Sequence, residues 1–578
     1  MVIRVWAPHA GRVELAIADQ RIAMTLGDRG WWFADTPAAV AGADYAFILD
    51  GADPPLPDPR SNWQPAGVHG PSRLVDHASF RWSDAGWNAP ALEAAVIYEL
   101  HVGTFTPAGT FDAAIERLGH LVDLGVTHVQ LMPVAEFPGD RGWGYDGVDL
   151  FAPHHGYGGP DGLKRLANAC HAHRLAILID VVYNHLGPDG NYLPRFGPYL
   201  TDHYSTPWGD AINFDGRGSD EVRQFFCDNA QMWLRDYHAD GLRIDAVHAI
   251  NDNSARHLLE QLAEETAALQ PLLGRRLVLI AESDANDPRL VRPPELGGYG
   301  IAAQWSDDFH HALHSVLTGE RTGYYADFGT VADLAKAITR AFVYDGRHSA
   351  FRGRRHGRRP AGIPGDRFLG YLQTHDQVGN RAQGERTARL MSLGRLKIGA
   401  AIVITAPFIP MILAGEEWAA STPFLYFTGH DNPVLARAVS EGRKRNFAAA
   451  GGAIGEVPDP QAPATFTRSK LLWSEVTRAP HDEILAWHRE LLSLRAATPE
   501  LRDGRRELVK VHFDEAARWL TITRGAITLA CNLADRTQPV ALGDRLPRRI
   551  VMASDPRITL SDATVDLPPD TVAILHTN

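Results

Sequence analysis

Polar and charged residues stand at the ends of apolar runs in four places: Asp180, Asn184 and His185; Arg243 and Asp245; Glu282 and Asp284; His375 and Asp376. Any one of them alone is ordinary, since helix caps and loop salt bridges use the same residue types. Three carboxylates on separate runs, Asp245, Glu282 and Asp376, are different, because they could converge on one pocket. Cleaving a glycosidic bond takes one protonated carboxyl to supply the leaving oxygen and one ionised carboxylate at the anomeric carbon. Asp245 lies two residues after Arg243, whose positive charge favours the ionised form. Glu282 follows apolar Ile280 and Ala281, which favour the neutral form, and its longer chain reaches further toward a leaving oxygen.

Such a pocket needs a frame that aims several strand ends at one place. From about residue 95 the sequence supplies short apolar runs separated by helical segments, the pattern of βαβ units and a parallel sheet. AVIYELHV, VTHVQLMPV, LAILIDVVYNH, GLRIDAV, RLVLIAES, GIAAQWSDDF, RFLGYLQTHD and PFIPMILAG make eight strand candidates. FDAAIERLGHLVDLG reads as one helix with Phe111, Ile115, Leu118 and Val122 on one face, ended by Gly125. EVRQFFCDNAQMWLRDYHAD reads as another, with Val222, Phe226, Trp233 and Tyr237 on its stripe. Eight such units predict an α/β fold, a (β/α)₈ barrel, whose active sites lie at the C-terminal ends of the strands.

Before the barrel, Val13, Leu15 and Ile17 alternate with polar or small residues, as do Tyr45, Phe47 and Leu49, which predicts an immunoglobulin-like β-sandwich. The Pro- and Asp-rich stretch 50–90 reads as a linker wrapping onto the barrel. After a helical stretch, DEILAWHRELLSLRAA, the runs LVKVHF, WLTITR and VAILHT predict a C-terminal β-sandwich. The expected division is 1–90 sandwich, 91–485 barrel and 486–578 closing helix with β-domain.

The 578 residues carry a net charge of −12, which excludes a partner held mainly through phosphates and suits a neutral ligand such as sugar. The 14 Trp and 15 Tyr could stack on pyranose rings, although most large aromatics are core. Cys170, Cys227 and Cys531 have neither disulfide nor metal-knuckle spacing and suggest a reducing compartment. Without a basic segment followed by an apolar run at the start, or an apolar stretch of about 18 residues, neither a leader nor membrane attachment is expected. The expectation is a cytoplasmic protein.

YNH at 183–185, GLRIDAVH at 241–248, IAES at 280–283 and THDQVGN at 374–380 resemble, in order and spacing, the four signature regions of the α-amylase family of glycoside hydrolases. That resemblance implies Asp245 as nucleophile, Glu282 as general acid and base, and Asp376 as transition-state stabiliser. It implies that His185 and His375 bind the same sugar and that Tyr145 stacks on it, with Arg243 and Asn380 in the binding set. Longer stretches, YELHVGTFTPAGTFDAA, AEFPGDRGWGYDGVDLFAPHHGYGGPDGLKRL, YNHLGPDGNYLPRFGPY and QWSDDFHHALH, are similar to the malto-oligosyltrehalose trehalohydrolases over nearly the whole chain. This implies release of trehalose from malto-oligosyltrehalose, with no cofactor, and pairing through a shared intermediate with a malto-oligosyltrehalose synthase. It also implies substrate contacts from Asp307, Asp308, Phe309, His310 and His311, with His248 and Gln377 near the leaving group. The glycogen-branching enzymes share the sandwich, barrel and carboxylates, and a non-catalytic glucan-binding protein would need a broken triad.

Other features read as structural. His154 and His155 are adjacent, with no carboxylate at helical ligand spacing, so a loop is expected and no metal. The basic runs FRGRRHGRRP (351–360) and EGRKRNF (441–447) read as solvated loops, with a loop over the glucan site as the alternative. GYGGPDG lacks the ending and flanking strand of a phosphate loop, so its glycines serve turns.

Overall fold

The computed structural model describes residues 2–449, 457–543 and 547–577. All eight predicted runs become parallel strands of one closed barrel: Ile97–Leu100, His128–Leu131, Ala176–Val181, Gly241–Ile244, Val278–Ala281, Ala303–Trp305, Phe368–Tyr371 and Ile409–Leu413. Every residue of these strands is buried, because each faces either the barrel interior or the surrounding helices. Leu178, Ile280, Trp305, Tyr371 and Met411 fill the interior, so the barrel is a packed core with its working surface at the rim.

The chain from 111 to 125 departs from the expected single helix. It forms two short ones, Phe111–Ile115 and Leu118–Leu124, broken at Glu116 and Arg117. The break resets the helical phase, so Leu118, Leu121 and Leu124 face inward while Val122 is 44% exposed. Gly125 does end the second helix, at φ 99° in the left-handed region that favours glycine. The helix Ser219–Asp236 buries Val222, Phe226 and Trp233 as expected, and Tyr237 is buried one residue beyond its end.

In the N-terminal region, Val13–Ile17 pairs antiparallel with Asp44–Leu49, setting Val13 against Leu49, Leu15 against Phe47 and Ile17 against Tyr45. The second sheet contains Val2–Trp6 and Trp31–Asp35. Residues 50–90 run along the barrel and are pinned by Arg60 to Asp228 (2.7 Å) and by Trp87 Nε1 to Asp240 (2.9 Å). At the other end, the helix His481–Ala497 lies against the barrel, with Arg495 donating to the carbonyls of Ile404 and Phe408. A five-stranded and a three-stranded antiparallel sheet follow.

Three excursions from the rim matter for function. The loop between Ala135–Glu136 and Asp149–Pro153 carries Trp143 and Tyr145. A hairpin of Leu200–Thr206 and Gly209–Ile212 carries Trp208. The long segment after the eighth strand includes the helix Pro433–Ala449.

Candidate active site

A cavity of about 660 Å³ opens at the C-terminal ends of the strands, and Asp245, Glu282 and Asp376 all line it. Asp245 directly follows the fourth barrel strand, Glu282 the fifth, and Asp376 sits in the short helix His375–Gly379 beyond the seventh. Gln377 Oε1 accepts hydrogen bonds from the amide (2.9 Å) and hydroxyl (2.6 Å) of Thr374, a capping box that fixes where this helix begins.

Arg243, fully buried, organises the charges. Its guanidinium donates to Asp245 Oδ1 at 2.6 Å and to both oxygens of Asp180 at 2.9 Å, and lies 3.8 Å from Glu282 Oε2. Burial works to raise Asp245, but the Arg243 charge, the hydrogen bond from Asn184 Nδ2 (2.8 Å) and His185 outweigh it, so its carboxyl stays below the usual range. Burial pushes Glu282 well above the ordinary glutamate value, and repulsion from Asp245, Asp307 and Asp376 adds to the effect against the pull of Arg243. Two neighbouring carboxyls are thus driven in opposite directions, one held ionised and one held protonated. The Ala246 amide, in the residue after Asp245, donates to Glu282 Oε2 at 2.6 Å and ties the two strand ends together. Ala246 adopts φ 38°, ψ 50°, a left-handed conformation costly for a residue with a Cβ.

Below the cavity a hydrogen-bonded chain crosses the barrel. Glu99 accepts from the His375 backbone amide (3.0 Å) and bonds its Nδ1 (2.8 Å); His375 Nε2 meets the Tyr145 hydroxyl (2.8 Å), which donates to Asp180 (2.8 Å). Burial works against a charge on His375, yet Glu99 and Asp376 raise it to about 9, so both ring nitrogens carry protons. Burial lifts Asp180 to about 7 despite Arg243.

Tyr145, His185, His248 and Asn380 also line the cavity, while Arg243 and His375 support it from beneath. Asp307 is partly buried; its carboxylate takes the Tyr371 hydroxyl, and burial raises it to about 7. It stands close enough to repel Glu282 without lining the cavity, and the rest of that segment lies further from it. Asp308 accepts from the amides of Val343 and Tyr344 (both 2.6 Å) and from Asn286. Phe309 packs on Phe408, His310 bonds Leu372 O and the Tyr325 hydroxyl, and His311 lies among Tyr324 and Phe328. All four belong to the helix Asp307–Thr318, whose turns direct them into the barrel wall and neighbouring loops.

Further residues escape the sequence reading. Trp208, at the hairpin tip, is 50% exposed, lines the cavity and stacks on His185 with ring centres 4.2 Å apart. Its only signal is an isolated Trp in the turn TPWGD. Arg443, from the run read as a solvated loop with a loop over the glucan site as the alternative, lies on the helix Pro433–Ala449, lines the cavity as that alternative has it, and donates to Gly379 O and to Asn380 Oδ1 (3.2 Å), between the rings of Tyr426 and Phe447. In the other basic run Arg352 bonds Asp284 (2.8 Å), which follows Glu282 by two residues.

Residues 75–199 match the α-amylase catalytic domain family, and residues 504–575 match a domain family of unknown function. A malto-oligosyltrehalose trehalohydrolase of Rhizobium sp. (strain M-11) is 48% identical, over 99% of this chain and 97% of its own. The enzyme of that name from Arthrobacter ramosus is 50% identical over 93% of each chain. The crystal structure of a putative α-amylase from Salmonella typhimurium, 39% identical, superposes with a TM-score of 0.91, covering 100% of this chain and 97% of that one.

Proposed function

The chain belongs to the malto-oligosyltrehalose trehalohydrolases of the α-amylase family, and from that premise we propose how its pocket carries out the reaction. As a member of that family it hydrolyses the α-1,4 bond next to the terminal α,α-1,1-linked glucose pair of malto-oligosyltrehalose, releasing trehalose and a malto-oligosaccharide. The convergence of Asp245 and Glu282 on Arg243, the first bonded to it at 2.6 Å and the second 3.8 Å away, with burial and repulsion favouring the protonated form of Glu282, is the observation that supports the mechanism.

Asp245 Oδ attacks the anomeric carbon while protonated Glu282 gives its proton to the glycosidic oxygen, so trehalose departs as a neutral alcohol. Glu282, now ionised, takes a proton from water, which opens the glycosyl–Asp245 ester and returns both carboxyls to their starting states. Two inversions give net retention. Arg243 restrains the Asp245 carboxylate and disperses the negative charge of the site. Asp376 holds sugar hydroxyls, with Tyr145, supported from beneath by His375, and His185 walling the same ring and Trp208 offering an exposed face beside it. His248, exposed on the cavity wall and 3.9 Å from Asp284, is placed for the leaving disaccharide.

Any amylase-like triad can break α-1,4 bonds, so selectivity must come from where the leaving disaccharide fits. A pocket built around trehalose hydroxyls leaves polar groups unpaired when maltose enters, at about 1 to 3 kcal/mol each. Comparing kcat/KM for maltosyl-trehalose and maltotetraose tests this, with a preference of at least about fivefold expected from one such loss. Equal values, or α-1,6 branches formed on amylose, would move the assignment to an ordinary amylase or a branching enzyme. The substrate carries a 1,1-linked end, so a synthase that builds this end from a malto-oligosaccharide belongs upstream. Among the described residues no helix is long and apolar enough to cross a membrane, and all three cysteines are free and buried. Both facts support placement in the cytoplasm.

A further inference from the structure

At the base of the loop that carries Trp143, Tyr145 and Asp146 into the active cavity lies a cluster the glycosidase chemistry does not use. Glu136 ends the first strand of the hairpin, and His154 and His155 directly follow the second, Asp149–Pro153. The chain reversal brings the carboxylate to two histidines that sequence spacing had left without one.

Glu136 Oε1 lies 2.7 Å from His155 Nδ1 and 3.2 Å from His154 Nδ1, and one ligand atom from each residue lies within 4.8 Å of the others. His154 is fully buried, its ring stacked on Phe137 at 3.9 Å; its Nδ1 approaches Glu136 without a well-aligned hydrogen bond, and its Nε2 has no hydrogen-bond partner. An imidazole buried in that state forfeits hydrogen bonds it would make in water. The carboxylate is oriented by the His155 backbone amide, which donates to Oε2 at 2.7 Å, as outer hydrogen bonds orient metal ligands. Across the hairpin from Glu136 stands Asp149, also buried, with Oδ2 unpaired. His155 is 31% exposed and borders a second cavity of about 430 Å³, which supplies an entry path and room for water.

We propose that Glu136, His154 and His155 bind one divalent transition-metal ion of the zinc class, with water completing the shell. Two imidazoles and a carboxylate form a recognised zinc set, and bonds of about 2.0 to 2.2 Å place neighbouring ligand atoms roughly 3.3 Å apart; the 3.2 Å from Glu136 to His154 matches this, and the 2.7 Å hydrogen bond to His155 would open by about half an ångström as the metal replaces its proton. The oxygen ligands that calcium and magnesium demand are too few. The ion takes no part in glycoside cleavage. It pins the two ends of the loop that presents Tyr145, so its effect is on stability and on the order of that wall.

The test is calorimetric titration of ZnCl2 into the full-length protein after chelator treatment, with CaCl2 as comparison and thermal midpoints measured alongside. One equivalent of zinc and a raised midpoint are expected, with no effect of calcium. His155→Gln, a partly exposed and structurally mild change, should weaken zinc binding by at least about tenfold and abolish the midpoint shift. Glu136→Gln should do the same, and exposed His203→Gln should change nothing. Absence of zinc binding by the wild-type protein, or binding unaltered in both His155→Gln and Glu136→Gln, overturns the site. The readout is binding, so it stands apart from whether trehalose is the product.

Discussion

Glu99 never faces the cavity, yet its replacement by glutamine should be felt there. The carboxylate is fully buried and holds His375 through Nδ1 and the backbone amide, and it is the strongest influence raising the imidazole to about 9 against burial. Glutamine keeps the shape and loses the charge. Burial would then be opposed chiefly by Asp376, and His375 should titrate below 6.5, the value of an unperturbed histidine. Lifting a histidine from 6.5 to about 9 is worth about 3 kcal/mol. This stabilisation is fully present below pH 6.5, where folded and unfolded forms both bind the proton, and it fades as pH rises through about 9. The thermal midpoint of Glu99→Gln should therefore fall furthest below wild type near pH 6, with the gap narrowing by about pH 9.5. Histidine NMR reports the site directly, and kcat/KM on maltosyl-trehalose should fall more at pH 8 than at pH 5 as the donor to Tyr145 is lost. A His375 that stays protonated at pH 8 in the variant, or a gap independent of pH, would refute the reasoning.

Asp245→Asn and Glu282→Gln should each reduce kcat by several orders of magnitude with binding largely intact; near wild-type turnover in either would sink the catalytic assignment. Product anomers followed by NMR at early times should be α, and a β-configured first product would rule out double displacement. Trp208→Ala should raise KM with little change in kcat, since the exposed ring offers binding area without touching a proton; a loss confined to kcat would contradict this. Gly379→Ala should lower activity sharply, because a Cβ there would lie 2.1 Å from the Trp143 ring, and an unchanged kcat/KM would show that this wall yields freely.

The barrel was legible because each strand is a short, wholly buried run that must be apolar throughout, and the three carboxylates because they interrupt such runs at their ends. Glu99 was hidden for the complementary reason: it sits inside AVIYELHV, where one charged letter among apolar ones passes for part of the strand. The DDFHH stretch misled because adjacent letters on a helix point in different directions, so Asp307 stands by the carboxylates while Asp308 to His311 serve packing and loop anchoring. Trp208 arrives from a hairpin tip whose sequence carries no periodicity, whereas Arg443 comes from a basic run whose alternative reading, a segment over the glucan site, is realised as a helix. The helix expected over 111–125 failed at a single turn, since a break of two residues is invisible to a periodicity counted over fifteen.

Ala246 shows what the site demands of the rest of the chain. A residue with a Cβ in the left-handed region costs about 1 to 3 kcal/mol, and the conformation persists only because the surrounding barrel over-determines it. The peptide held this way aims its amide at Glu282 immediately after Asp245, the residue we propose attacks, so one backbone unit sets the spacing between the proposed acid and nucleophile. The protein therefore gives up stability at the point where its geometry must not drift. A thermostability screen would be drawn to glycine at this position, which relieves the strain, and would select enzymes that survive heat with a looser grip on the distance between their two carboxyls.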